Sequence, residues 1–94
     1  MTLESTIEDY FVKRIIALGG RTVKLAVPGT RFLDRLAMLP NGVSLYAELK
    51  RPKGGRKSPL QVFWISWLID NGHVAGFAST KEEVDQLIER ALNG

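Results

Sequence analysis

The 94-residue chain is 45% hydrophobic and 24% charged, a balance that excludes both a disordered and a fibrous polymer. It has no cysteine, so neither a disulfide framework nor a thiolate metal site is available, and an oxidising compartment is neither required nor excluded. The net charge of +3 and a pI near 9.5 suit a polyanionic partner without demanding one. The length suits one domain over residues 1–94, with a core small enough that a second subunit would add stability. The first residues lack the basic and apolar regions of a signal peptide, and the longest apolar stretch, Val62 to Ile69, is too short to cross a bilayer. A soluble, cytoplasmic protein is the expectation.

Leu3, Ile7, Phe11, Ile15 and Leu18 recur at three- and four-residue spacing and predict a helix from about Glu4 to Leu18, stopped by Gly19 and Gly20. Glu4 and Glu8 lie one turn apart near its positive end, where solvated carboxylates are common. Glu8 also shares a face with Phe11 and Ile15, on the border of the buried side, so a functional reading stands beside the bland one. Arg21 to Val27 reads as a short strand carrying Lys24, and Pro28-Gly29 as a turn. A lysine in such a strand ordinarily faces water.

Arg31 to Leu39 reads as a second strand, and Pro40-Asn41-Gly42 as a tight hairpin turn. Asp34 interrupts an otherwise apolar row of Phe32, Leu36 and Met38. Aspartate is disfavoured inside strands, and a buried carboxylate needs a cationic partner or a metal. Arg35 points to the opposite face.

The third strand, Val43 to Lys50, alternates cleanly. Val43, Leu45, Ala47 and Leu49 form a core-facing row; Ser44, Tyr46, Glu48 and Lys50 form the other. Glu48 and Lys50 stand on one face roughly 7 Å apart by strand rise. If the two strands pair as a hairpin, Asp34 approaches Glu48, and two carboxylates brought together repel unless a cation separates them. A basic loop follows at once, with Arg51, Lys53, Arg56 and Lys57 around Gly54-Gly55. Carboxylates able to bind a divalent ion, a neighbouring lysine and a basic loop together point to metal-assisted chemistry on a phosphodiester. A solvated surface loop is the other reading of the loop alone.

Ser58, Pro59 and Gln61 have the pattern of an N-cap, a first-turn proline and the closing member of a capping box, for a helix running to about Asp70 and ending at Asn71-Gly72. Its apolar residues cover nearly the whole circumference. One small core can hardly cover both Trp64 and Trp67, which predicts a homodimer interface on this helix. His73 to Ala78 reads as a last strand, apolar enough to be internal, with His73 a structural residue rather than a ligand. Thr80 and Glu83 form a capping box for a final helix with a stripe of Val84, Leu87, Ile88, Ala91 and Leu92. The order αβββαβα predicts an α/β (α+β) fold, a mixed β-sheet flanked by helices.

In order and spacing, Glu8, Gly19-Gly20, Asp34-Arg35, Glu48-Leu49-Lys50, Ser58-Pro59-Leu60-Gln61 and Asn71-Gly72-His73 resemble the VRR-NUC (virus-type replication-repair nuclease) domain of the PD-(D/E)xK nuclease superfamily. The resemblance covers essentially the whole chain and is similar to stand-alone phage and prophage members. It implies a restriction-endonuclease-like core in which Asp34 and Glu48 ligate Mg²⁺ or Mn²⁺ and Lys50 orients the attacking water. Glu8 would complete the metal shell directly or through water, and Gln61 would support the site. Lys24 and Arg35 look similar to basic positions that contact DNA. One departure is Leu33, where the family usually has proline before the aspartate. The implied activity is that of a DNA endonuclease acting as a homodimer in a bacterial host cell, with four-way (Holliday) junctions the leading substrate. Flap or other branched DNA is the nearest variant; a non-catalytic DNA-binding module and a purely structural dimerisation domain are the readings from other classes.

Overall fold

The computed structural model describes residues 4–25, 32–51 and 56–93. In chain order the elements are α1 (Glu4–Ala17), β1 (Arg21–Lys24), β2 (Arg35–Met38), β3 (Ser44–Leu49), α2 (Pro59–Asp70), β4 (Val74–Ala78) and α3 (Lys81–Asn93). Among the described residues they form an α+β fold with one four-stranded mixed sheet of order β1-β2-β3-β4, β3 and β4 parallel and the other pairs antiparallel.

α1 forms where its apolar stripe directs it. Ile7, Phe11 and Ile15 are buried, and the helix stops at Gly19, whose φ of +84° is a conformation that side chains with a Cβ resist. The β2–β3 hairpin closes through Pro40, Asn41 and Gly42: Leu39 N–H donates to Val43 O, and Asn41 Oδ1 accepts from Val43 N–H. This turn sets the register Leu36 to Tyr46 and Arg35 to Ala47, and so brings Asp34 level with Glu48.

The sheet has a different core on each face. Leu45, Ala47 and Leu49 pack with Ile7, Phe11 and Ile15 of α1 and with Val84, Leu87, Ile88 and Ala91 of α3. On the other face Leu33 and Ala75 pack with Ile65 and Leu68 of α2, and Phe32, Tyr46, Trp64 and Phe77 surround them.

Three expectations change. Asp34 is not in a strand interior; it lies one residue before β2, held by the residue just past β1, where Leu25 N–H donates to Asp34 O at 2.8 Å. β4 is not internal but an edge strand, and it is apolar because helices cover both its faces, not because strands flank it. The capping box of α3 forms only by half. Thr80 Oγ1 accepts from Glu83 N–H, but the Glu83 carboxylate reaches one residue further, to the N–H and hydroxyl of Ser79. The expected strand to Val27 is shorter, ending at Lys24 with Leu25 already outside it; residues 26 and 27 lie outside the described residues, as do the Pro28-Gly29 turn, Arg31, Lys53 and the glycines of the basic loop. Among the described residues no helix is long and apolar enough to cross a membrane.

Candidate active site

The chemistry-bearing side chains gather at the end of β3. Glu48 is 1% exposed, on the α2 face of the sheet, beside Phe77 of β4 in the parallel register. Each oxygen of its carboxylate has defined partners. Oε1 accepts from the backbone N–H of Asp34 at 3.0 Å; Oε2 accepts from Gln61 Nε2 at 2.7 Å and from Lys50 Nζ at 2.9 Å. The Asp34 carboxylate is fixed in turn by Leu49 N–H, which donates to its Oδ2 at 3.1 Å. Asp34 and Glu48 therefore exchange support: each is gripped by the backbone at or next to the other.

Four of the five residues expected to be catalytic, Asp34, Glu48, Lys50 and Gln61, are brought together here. Lys50 follows the last residue of β3 and donates its backbone N–H to Ala78 O, so the parallel neighbour fixes its position. The side chains of Glu48 and Lys50 lean together and close the gap left by the strand rise. Gln61 combines two roles through the two ends of one amide. Its Oε1 accepts from Ser58 N–H in a complete capping box while its Nε2 donates to Glu48. Leu33, standing where proline would be expected, is fully buried in the α2-side core and anchors the segment that presents Asp34.

Glu8 is arranged differently. Its carboxylate accepts from Arg35 Nε at 2.9 Å and lies 4.0 Å from Lys24 Nζ. Arg35 pairs with Ala47, on the α1 face, so α1 engages the two basic residues rather than the carboxylate pair. Among the described residues no three histidine, cysteine, aspartate or glutamate side chains form a cluster suited to a metal.

Burial raises the Asp34 carboxyl above its ordinary value, against the lowering effect of the Leu49 N–H and Lys50 and with a further upward push from Glu8. Burial likewise raises Glu48, against its hydrogen bond from Lys50 and with a contribution from Asp34. Two carboxyls that both resist ionisation, with acceptor capacity left on Glu48 Oε1 and on Asp34, fit a hard divalent cation held by oxygen.

Of the basic loop, Arg51, Arg56 and Lys57 are exposed, and the Lys57 ammonium sits 4.7 Å from the centroid of the Phe77 ring. Sequence reasoning missed Phe77 as a seat for Lys57, because only the parallel β3–β4 register sets it beside Glu48. Trp64 is half-buried; Trp67 is 47% exposed, and with Leu60, Val62, Phe63 and Ile69 it forms an apolar outer side of α2. His73 is exposed and stacks on Trp67 with ring centroids 6.3 Å apart, and it meets the Tyr46 ring edge-on at 6.0 Å. A cleft of about 570 Å³ lined by His73, Val74, Gln86, Glu89, Arg90 and Asn93 lies at the other end of β4, and none of the residues expected to be functional borders it.

No family model matches the sequence. A protein of Acyrthosiphon pisum secondary endosymbiont phage 1 named "Putative nuclease p44" is 37% identical over 71 residues, covering 74% of this chain and 75% of that protein. A solved structure described as "VRR_NUC domain" superposes with a TM-score of 0.82 at 30% identity, over 95% of this chain and 97% of the other. The chain belongs to the VRR-NUC family of nuclease domains.

Proposed function

We propose that residues 1–94 are a single nuclease domain, a divalent-metal-dependent endonuclease that hydrolyses DNA phosphodiester bonds and works as a homodimer on four-way (Holliday) junctions. The observation that carries this reading is the mutual support of Asp34 and Glu48, one carboxyl partly buried and the other fully, beside Lys50 and Gln61.

Asp34 and Glu48 would hold Mg²⁺ or Mn²⁺; the ion, when bound, lowers the pKa of a coordinated water and draws charge from the scissile phosphate. The chain supplies the rest. Lys50 Nζ, anchored on Glu48 Oε2, offers its remaining N–H donors to the attacking water and to a phosphate oxygen. Gln61 fixes the Glu48 rotamer. Arg51, Lys53, Arg56 and Lys57 contact the DNA backbone, which positions the strand without reading its sequence. Lys24 and Arg35 extend that basic surface past Glu8. A place for Glu8 in the metal shell requires its carboxylate to leave Arg35, directly or with a water between. The apolar outer side of α2, with Trp64 and Trp67, supports the homodimer, since aromatic residues are enriched in interfaces and charged ones depleted from their centres. Two sites in a symmetric dimer suit paired cuts in a branched substrate.

The test incubates the purified protein with labelled four-way junction, flap, single-stranded and linear duplex DNA in Mn²⁺, Mg²⁺ or EDTA, with Glu48→Ala as control. Paired symmetric nicks in the junction, lost in EDTA and in the variant, are expected. Cutting of the other structures instead keeps the nuclease and replaces the substrate. Binding without cleavage in either metal overturns the catalytic reading in favour of a DNA-binding module.

A further inference from the structure

We infer that Ser58 is a positioning residue for the acidic cluster: the cap it makes on α2 holds the Gln61 amide where its donor end meets Glu48 Oε2. A carboxylate only accepts, so Glu48 takes the NH₂ end of the Gln61 amide, and the amide oxygen needs a donor of its own. Ser58 supplies that donor. Its Oγ accepts from Gln61 N–H at 3.1 Å, which draws the third helical residue over the cap, and Pro59 between them has no N–H to compete. The backbone N–H of Ser58 then donates to Gln61 Oε1 at 3.4 Å. With the acceptor end engaged, the donor end is left for Glu48 Oε2, at 2.7 Å.

The consequence falls on Glu48. Its Oε2 receives two donors, Gln61 Nε2 and Lys50 Nζ, which fill its acceptor capacity; Oε1 receives one, from Asp34 N–H. Ser58 touches neither carboxylate, yet by holding Gln61 on Oε2 it leaves Oε1, the oxygen on the Asp34 side, with capacity for a further partner. The helix cap and the site are one hydrogen-bonded unit. Only the effect on cleavage rests on the nuclease reading; the orientation of the amide does not.

The orientation is tested first on the ¹⁵N-labelled protein in EDTA. The chain has two glutamines, Gln61 and Gln86, so the side-chain amide of Gln86 is an internal reference. In the wild type the Gln61 NH₂ signals are displaced from those of Gln86; in Ser58→Ala they collapse toward the reference, and in Ser58→Thr they stay displaced. Should Ser58→Ala not fold, Ser58→Gly replaces it, because glycine is a tolerated N-cap that also lacks the hydroxyl. Displaced signals in a folded Ser58→Ala or Ser58→Gly protein overturn the proposal. Single-turnover cleavage is tested second. Ser58→Ala slows it by about tenfold, as expected for losing one positioned hydrogen bond to a charged group. The Ser58→Ala/Gln61→Ala double variant is no slower than Gln61→Ala alone. Single-variant factors that multiply in the double variant also overturn it, since independent residues behave that way. Failure of the wild type to cleave any DNA strikes the nuclease reading alone, and the amide signals still decide for or against Ser58.

Discussion

Glu48→Gln and Asp34→Asn are both isosteric neutralisations of buried carboxyls, yet in the metal-free protein they should move stability in opposite directions. Every partner of the Glu48 carboxylate is a donor: Asp34 N–H on Oε1, Gln61 Nε2 and Lys50 Nζ on Oε2. A glutamine at this position must aim its own NH₂ at one side or the other. Toward Oε2 it opposes two donors; toward Oε1 it opposes a backbone N–H and leaves it orphaned. The second arrangement loses less, and one buried unsatisfied donor costs about 1–3 kcal/mol, which in a chain of this size lowers Tm by roughly 5–20 °C. Asp34 is different. Its Oδ2 accepts from Leu49 N–H, while no hydrogen bond to Oδ1 joins it to another described residue, so an asparagine keeps its oxygen on Leu49 and turns its nitrogen to the other side. Because burial is the largest influence on the Asp34 carboxyl and raises it, removal of the charge leaves stability level or higher. Thermal and urea melts of the three proteins in EDTA near neutral pH, followed by tryptophan fluorescence and circular dichroism, measure this. A Glu48→Gln protein as stable as the wild type would show that the donors around Glu48 do not constrain it. A fall in Asp34→Asn as large as that in Glu48→Gln would refute the assigned asymmetry.

The same raised carboxyls set the pH dependence. Asp34 and Glu48 bind their protons more tightly in the folded chain than at their ordinary values of 3.8 and 4.5, so their contribution is fullest below those values and is lost as pH rises through the folded ones. Glu83 runs the other way: hydrogen bonds from Ser79 lower it from 4.5, so its contribution is lost as pH falls below that value. Melts in EDTA should show stability declining as pH rises above 4.5 until both carboxyls have ionised, and a rising trend over that range contradicts the assignment. Mg²⁺ or Mn²⁺ should raise Tm and flatten that decline in the wild type, with a diminished response in Asp34→Asn; an undiminished one removes Asp34 as a ligand. Trp67→Glu should convert a micromolar dimer into a monomer in sedimentation equilibrium, and a wild type that sediments as a monomer removes the interface. Gly76→Ala would put a Cβ 2.9 Å from Leu87 Cδ1, the far end of a side chain that can give way, so a loss of about 1 kcal/mol in urea melts is expected rather than failure to fold.

Much of this was legible because local chemistry and tertiary packing agree. The alternation of Leu45, Ala47 and Leu49 against Tyr46, Glu48 and Lys50 gave the strand and its buried side, and the Pro40-Asn41-Gly42 turn set the register that brings Asp34 to Glu48. The Ser58 cap needed only four consecutive residues. What lay beyond the sequence were contacts fixed by pairing over distance. The edge position of β4 depends on how strands are ordered, and an apolar strand reads alike whether strands or helices cover it. Capture of Glu8 by Arg35 depends on where α1 crosses the sheet; the pair is separated by 27 residues, and no spacing rule reaches that far. Asp34 looked like an anomaly inside a strand because the row Phe32, Leu36 and Met38 was read as continuous. Leu33 breaks that row: it turns into the α2-side core together with Phe32, which adjacent residues of a regular strand cannot do.

That break in alternation explains why the aspartate can be where it is. Inside β2, the Asp34 N–H and carboxylate would be committed to the ladder and to one face of the sheet. Just ahead of β2, the backbone N–H is free of the ladder and reaches the Glu48 side chain, while the carboxylate reaches the backbone of Leu49. Leu33, buried at the helix α2 core, supplies the anchoring that a regular strand would otherwise provide. Three separate elements then meet on Glu48: the end of the hairpin through Asp34, the cap of α2 through Gln61, and β4 through its grip on the Lys50 backbone. A carboxyl pair that burial disfavours is held in place by elements anchored in the two cores. Loosening any one of them should therefore be felt first at Glu48, before it is felt in the fold.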